Sequence, residues 1–150
     1  MEFDVSEFLR DEPSRPSRAV PPKEQVWFNR FGRAVFRLCG SVLYDYKGRP
    51  RGFVVGKAVY DLRVQHRGFW QQLAVWDRMN RIIGYAQGAR ISGLALPPPE
   101  IPPLPYSNKP APEVPAEAVD LQCPAFIPIW SMMQLENLLP VEETSEEEEK

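Results

Sequence analysis

SVLYDYKGRPRGFVVG, residues 41–56, decides the fold, because the chain on either side repeats its layout in register. The block before it is QVWFNRFGRAVFRLCG (25–40), and the two after it are KAVYDLRVQHRGFWQQ (57–72) and LAVWDRMNRIIGYAQG (73–88). Position four of each sixteen is aromatic (Phe28, Tyr44, Tyr60, Trp76), and position five is Asn29, Asp45, Asp61 or Asp77. Glycine holds position twelve in three blocks (Gly52, Gly68, Gly84) and position sixteen in three (Gly40, Gly56, Gly88). Agreement in so many columns at one fixed period marks four tandem copies of one supersecondary unit.

Each unit reads as a β-hairpin. An apolar, β-branched and aromatic run such as Val42-Leu43-Tyr44 or Ala58-Val59-Tyr60 makes the first strand. The Asp or Asn after it starts a turn, since its short side chain can accept the backbone N–H two residues on. Gly32, Gly48 and Asn80 occupy position eight, where a left-handed residue closes such a turn. Val64 stands there in the third block, and Val resists positive φ, so a differently built turn is expected. The second strand is expected from near the twelfth-position glycine to the sixteenth. Four hairpins give eight short strands, with residues 89–96 as a possible closing strand. One hairpin cannot bury its apolar face, whereas four around an axis can, and closure removes the sheet edges. The expected fold is therefore all-β: a small pseudo-four-fold symmetric barrel over 25–96, with most of its core supplied by twelve aromatic residues.

The units LYDYKGRPRGF, VYDLRVQHRGF and VWDRMNRIIGY resemble the 4-fold β-flower domain, a shallow symmetric barrel with hairpins as petals. The resemblance covers about residues 25–96 and implies the fold; it implies no catalytic residue or established activity. Block one departs from the pattern, with Phe36 and Arg37 where Gly and an aromatic are expected. The short V-Y-D-x-x-G units also look like PRC-barrel segments, a second fold reading.

Outside the repeats the composition changes. Residues 1–24 read as a flexible N-terminal tail, in which Phe3, Val5, Phe8 and Leu9 form a small apolar group. Nine prolines among residues 97–115 favour extended polyproline II, so 97–118 reads as a semi-rigid linker, with a Pro-rich ligand for an aromatic groove as the sharper alternative. Residues 119–140 form an apolar docking segment. Ser131 and Gln134 fit a capping box ahead of Met132, Leu135, Leu138 and Leu139 at helical spacing. A helix of two turns does not persist alone and must dock, either on the barrel or, with Trp130 and the leucines as anchors, in a partner's groove. Residues 141–150 are an acidic tail.

Charge divides in the same way. Residues 25–96 hold twelve Lys/Arg against three acids, a net +9, and residues 97–150 hold two bases against eleven acids, a net −9. Arg33, Arg49 and Arg81 share position nine, and Arg51 and Arg67 share position eleven, which predicts a basic rim for nucleic acid, lipid headgroups, an acidic protein partner or the chain's own acidic tail. The third block, where His66, Trp70, Gln71 and Gln72 break the symmetry, is a second candidate binding face. His66 is the single histidine, and nucleotide-loop, zinc and hydrolase motifs are missing, so no catalytic residue, metal or cofactor is expected. Asn29, Asp45, Asp61 and Asp77 could ring a hard cation, but turn chemistry accounts for them fully. Cys39 and Cys123 read as free thiols, and the N-terminus lacks a secretion signal, so a cytoplasmic setting is expected, without a transmembrane segment. The functional expectation is a non-catalytic binding or adaptor module with a protein partner. Its alternative is a structural subunit of a larger assembly, an enzyme is a distant third, and a homo-oligomer is left open as a partner state.

Overall fold

The computed structural model describes residues 24–140. The apolar N-terminal group and the acidic run at 141–150 lie outside these residues. Eight strands come from the four blocks: β1 Glu24–Phe28, β2 Ala34–Cys39, β3 Val42–Tyr44, β4 Pro50–Val55, β5 Ala58–Asp61, β6 His66–Gln71, β7 Ala74–Asp77 and β8 Arg81–Tyr85. Each pairs antiparallel with the next, and β8 returns to β1 through Phe28↔Tyr85, so the sheet closes into a barrel. Second strands begin at position nine or ten, two or three residues earlier than the glycine suggested.

One turn is built four times. Oδ1 of Asn29, Asp45, Asp61 and Asp77 each accepts two backbone N–H groups, two and four residues on, at 2.8–3.0 Å. Position eight is left-handed in every copy: Gly32 at φ 82°, Gly48 at 80°, Asn80 at 69° and Val64 at 65°. The third turn is therefore not built differently, as Val64 had suggested. The Asp61 cage holds the valine in a conformation its branched Cβ disfavours. After each turn the ladder slips by one residue, leaving position eleven (Val35, Arg51, Arg67, Ile83) bulged in every petal.

Pleating then assigns the faces. Position three is fully buried in all four petals (Trp27, Leu43, Val59, Val75) and forms the inner ring, joined by Phe36, Leu38, Val54 and Ile83. Trp70 stacks on Trp27 at 5.1 Å and fills one end of the barrel. The position-four aromatics face outward, where each is the cross-strand partner of position thirteen in the neighbouring petal: Arg37↔Tyr44, Phe53↔Tyr60, Phe69↔Trp76 and Tyr85↔Phe28. These pairs staple petal to petal. The interior core is thus mainly aliphatic, and most aromatics lie outside it, contrary to the expectation that they fill the centre. Gly52, Gly68 and Gly84 are needed for closeness: a Cβ on each would collide with the position-four carbonyl of the next petal, Tyr60, Trp76 and Phe28 in turn.

The remainder of the chain wraps this barrel once. Tyr85 donates its hydroxyl to Pro97 O in petal four. In petal one, Glu100 N–H reaches Gly32 O and the Glu100 carboxylate accepts Ala34 N–H. At petal two, Tyr106 and Lys109 donate to Tyr46 O and Gly48 O. Asp120 accepts Lys57 N–H, and Val119 O accepts the Tyr60 hydroxyl. Phe126 stacks on Trp76 at 4.4 Å, and β9, Ile127–Trp130, pairs parallel with β8. Residues 97–118 are therefore a strap laid on the petals rather than a spacer held away from them. Residues 89–96 make only an isolated Ile91↔Leu94 bridge and no closing strand; the β8–β1 pairing closes the barrel, and β9 adds alongside β8.

Candidate functional site: the plugged mouth and its rim

The strap ends by entering the barrel. Leu135, Leu138 and Leu139 are fully buried among the inner-ring residues, at the end opposite Trp70. In place of a two-turn helix there is one 3-10 turn, Leu135–Asn137, and Gln134 makes no side-chain cap bond. Space explains the shortening. The interior of an eight-stranded barrel is just wide enough for side chains to fill, so the leucines enter while the backbone makes only a single turn. Gly52 and Gly84 leave the room that Leu139 and Leu135 occupy.

Polar groups of the turns hold the plug. After Oδ1 has bound the turn, the second side-chain atom of position five is free for other work. Asp77 Oδ2 accepts the Ser131 hydroxyl, and Asn29 Nδ2 donates to Glu136 at 2.8 Å. Asp45 Oδ2 accepts Arg49 Nε at 2.8 Å and Arg51 Nη1 at 3.0 Å, while Arg51 Nη2 donates to Leu139 O. Asp61 Oδ2 accepts Arg67 Nε at 3.0 Å. Burial pushes the Asp45 carboxyl pKa up, but the hydrogen bonds from Arg49 and Arg51 outweigh it and leave it below its ordinary value.

The predicted basic rim is consequently divided. Arg51 is buried and bound to Asp45 and the plug; Arg49 and Arg67 are half-buried in ion pairs; Arg33 is exposed and Arg81 half-buried. The third-petal residues do not gather on one face. Trp70 points inward, and Gln72 sits in a tight turn with Leu73, both left-handed at φ 62° and 58°. Gln71 O accepts the Trp76 indole N–H. His66 packs between Tyr60 and Phe69 with Nε2 on Gly68 O at 2.7 Å, and burial lowers its pKa. In petal one, Arg37 replaces the expected aromatic by lying over the Tyr44 and Tyr46 rings and binding Asp45 O. Burial raises the Tyr46 hydroxyl to about 12.

Around the plugged mouth an apolar surface is left uncovered; of its residues the sequence had named only Met132, expected to dock with the leucines, and it faces solvent instead. Phe31 and Met79 occupy position seven of petals one and four and are 67% and 71% exposed. Met132 and Met133, at the start of the plug, are 92% and 45% exposed. Met133 borders two shallow depressions, one shared with Arg30, Phe31 and Trp130, the other with Arg67, Arg78 and Met79. Arg30 lies over both the Phe31 and Trp130 rings at 5.7 and 5.6 Å. Neither Arg30 nor Arg78 has a carboxylate partner among the described residues. The signal was there as two apolar residues at turn tips, where Lys47 and Arg63 stand in the other petals.

A closed barrel of four near-identical hairpins, sealed by its own C-terminal segment, defines the class of protein. A family model described as 4-fold beta flower protein matches residues 25–139, and the chain belongs to that family. The match extends past the repeats through the strap and plug. No curated protein and no solved structure matches the chain. Among the described residues, no helix is long and apolar enough to cross a membrane.

Proposed function

We propose that this protein is a non-catalytic protein-binding module of the cytoplasm whose working face is the rim of the plugged mouth. The observation that carries the reading is the exposed Phe31, Met79, Met132 and Met133 group beside Arg30 and Arg78, which have no carboxylate partner among the described residues. Exposed aromatic and Met side chains gathered beside Arg have the composition of protein interfaces, and Met adapts its shape to what it meets. A partner segment with apolar anchors and flanking carboxylates fits this chemistry: the anchors bury against Phe31 and the methionines, and the carboxylates pair with the two arginines. The one histidine is engaged by a backbone carbonyl and two rings, which favours a binding role over acid–base work. Free Cys39 and Cys123 agree with a reducing compartment.

The test is affinity purification from the native cell with full-length wild type and with Phe31→Ser/Met79→Ser/Met132→Ser/Met133→Ser. A partner held by wild type, eluted by salt and absent from the variant is expected. Equal recovery with both proteins, or recovery of a second copy of this chain alone, overturns the reading.

A further inference from the structure

The strap carries a second exposed apolar feature, on different residues from the rim. Ile101 and Leu104 are each 92% exposed, and Tyr106 is 68% exposed, in the run Glu100-Ile-Pro-Pro-Leu-Pro-Tyr106. Solvent exposure of two large aliphatic side chains in a segment otherwise laid on the barrel calls for a reason. The run is pinned at both ends. Glu100 is fixed to petal one by its N–H on Gly32 O and its carboxylate on Ala34 N–H, and Tyr106 is fixed to petal two by its N–H on Tyr46 O. Between the pins, three of the five residues are proline, which holds φ near −65° and removes the backbone donor. Such a run favours the polyproline II helix, with three residues per turn, so Ile101 and Leu104 share one ridge and Pro102 and Pro105 share the next.

We infer that Glu100–Tyr106 is a displayed polyproline ligand for a domain with an aromatic-lined groove, of the kind that takes Pro-x-x-Pro segments. Pro102 and Pro105 supply the spacing that such grooves accept, and Leu104 supplies an apolar residue between them. The barrel adds what a free peptide lacks: its two pins fix the ends of the ligand before binding, so less conformational freedom is lost when the partner arrives. The same pins explain the exposure, because they hold the backbone against the petals and leave the ridge of side chains facing solvent. With the rim at the mouth, the molecule then offers two separate recognition surfaces.

The test titrates a panel of purified WW and SH3 domains onto the full-length protein by calorimetry. At least one domain is expected to bind with 1:1 stoichiometry, more tightly than to a free 97–110 peptide by roughly threefold to tenfold. Ile101→Ala/Leu104→Ala/Pro105→Ala should abolish that binding and unfold at the wild-type temperature, since these side chains are exposed. The Phe31→Ser/Met79→Ser protein should bind as wild type does, which separates failure of this site from failure of the rim. NMR shift changes on the full-length protein should fall on residues 100–106. No binding by any domain, an undiminished titration with the triple variant, or shift changes confined to other residues would overturn the inference.

Discussion

Petals two and three are the same hairpin made from different residues. Petal two closes its turn with Gly48 and joins petal three through Gly56; petal three uses Val64 and then the left-handed pair Gln72-Leu73. Both turns nevertheless have the same hydrogen bonds, with Asp45 and Asp61 each accepting two backbone N–H groups. The acid at position five is thus what fixes the turn, and the residue at position eight bears whatever strain results. The petals differ most in what lies over them. The strap crosses the petal-two turn and Leu139 reaches Gly52, whereas on petal three the strap bonds at Lys57 and Tyr60 and the second carboxylate oxygen of Asp61 is taken by Arg67 of the same petal.

Exchanging the eighth-position residues probes this contrast most severely. Gly48→Val places a branched side chain at φ 80° and drives its Cβ into Ser107 O of the strap, for an expected loss of roughly 4 kcal/mol in urea unfolding. A loss near 1 kcal/mol would show that the strap is not seated on that turn. Next comes the plug. Leu139→Ala should cost about 3 kcal/mol, as for a buried leucine, while Arg67→Ala in petal three, whose ion pair involves no plug residue, should cost less than about 1 kcal/mol because that pair is partly solvated. Equal costs would mean that the plug does not distinguish the two petals.

Relief of the third turn is a smaller effect with the opposite sign. Val64→Gly should stabilise by about 1 kcal/mol, since glycine takes φ 65° without the branched Cβ. The mildest difference is in pH response. Petal three has His66 where petal two has Pro50. Burial lowers the folded pKa of His66, so the fold favours the neutral ring. The stability this brings is present above the unfolded value near 6.5 and is lost as pH falls through the lower folded value. Thermal melts should therefore fall between pH 7 and pH 5, and His66→Gln should flatten that decline; an unchanged profile would place the titration elsewhere.

The petals were legible in the sequence because turn chemistry is local: an Asp at position five reads its own backbone within four residues. Closure was legible too, since a period repeated four times leaves edge pairing nowhere else to go. The inward and outward assignment was harder. Positions three and four are both apolar, and only the bulge at position eleven and the glycine at twelve decide which faces the axis. The strap was the least visible part. Its route depends on single backbone bonds, Glu100 to Gly32 and Lys109 to Gly48, that leave no periodic trace. Likewise the rim arginines looked equivalent by position, yet Arg51 and Arg67 turn toward Asp45 and Asp61 because the bulge tilts them to the mouth.

The plug also sets a timetable for biosynthesis. Trp27, Leu43, Val59 and Val75 leave the ribosome well before Leu135, Leu138 and Leu139, which complete the cluster they belong to. At ~5–20 residues per second the nascent petals wait on the order of several seconds with an unsealed centre. Aggregation during translation is therefore governed by how soon those three leucines arrive, and a stop codon ahead of Leu135 would do more harm to yield than its distance from the petals suggests.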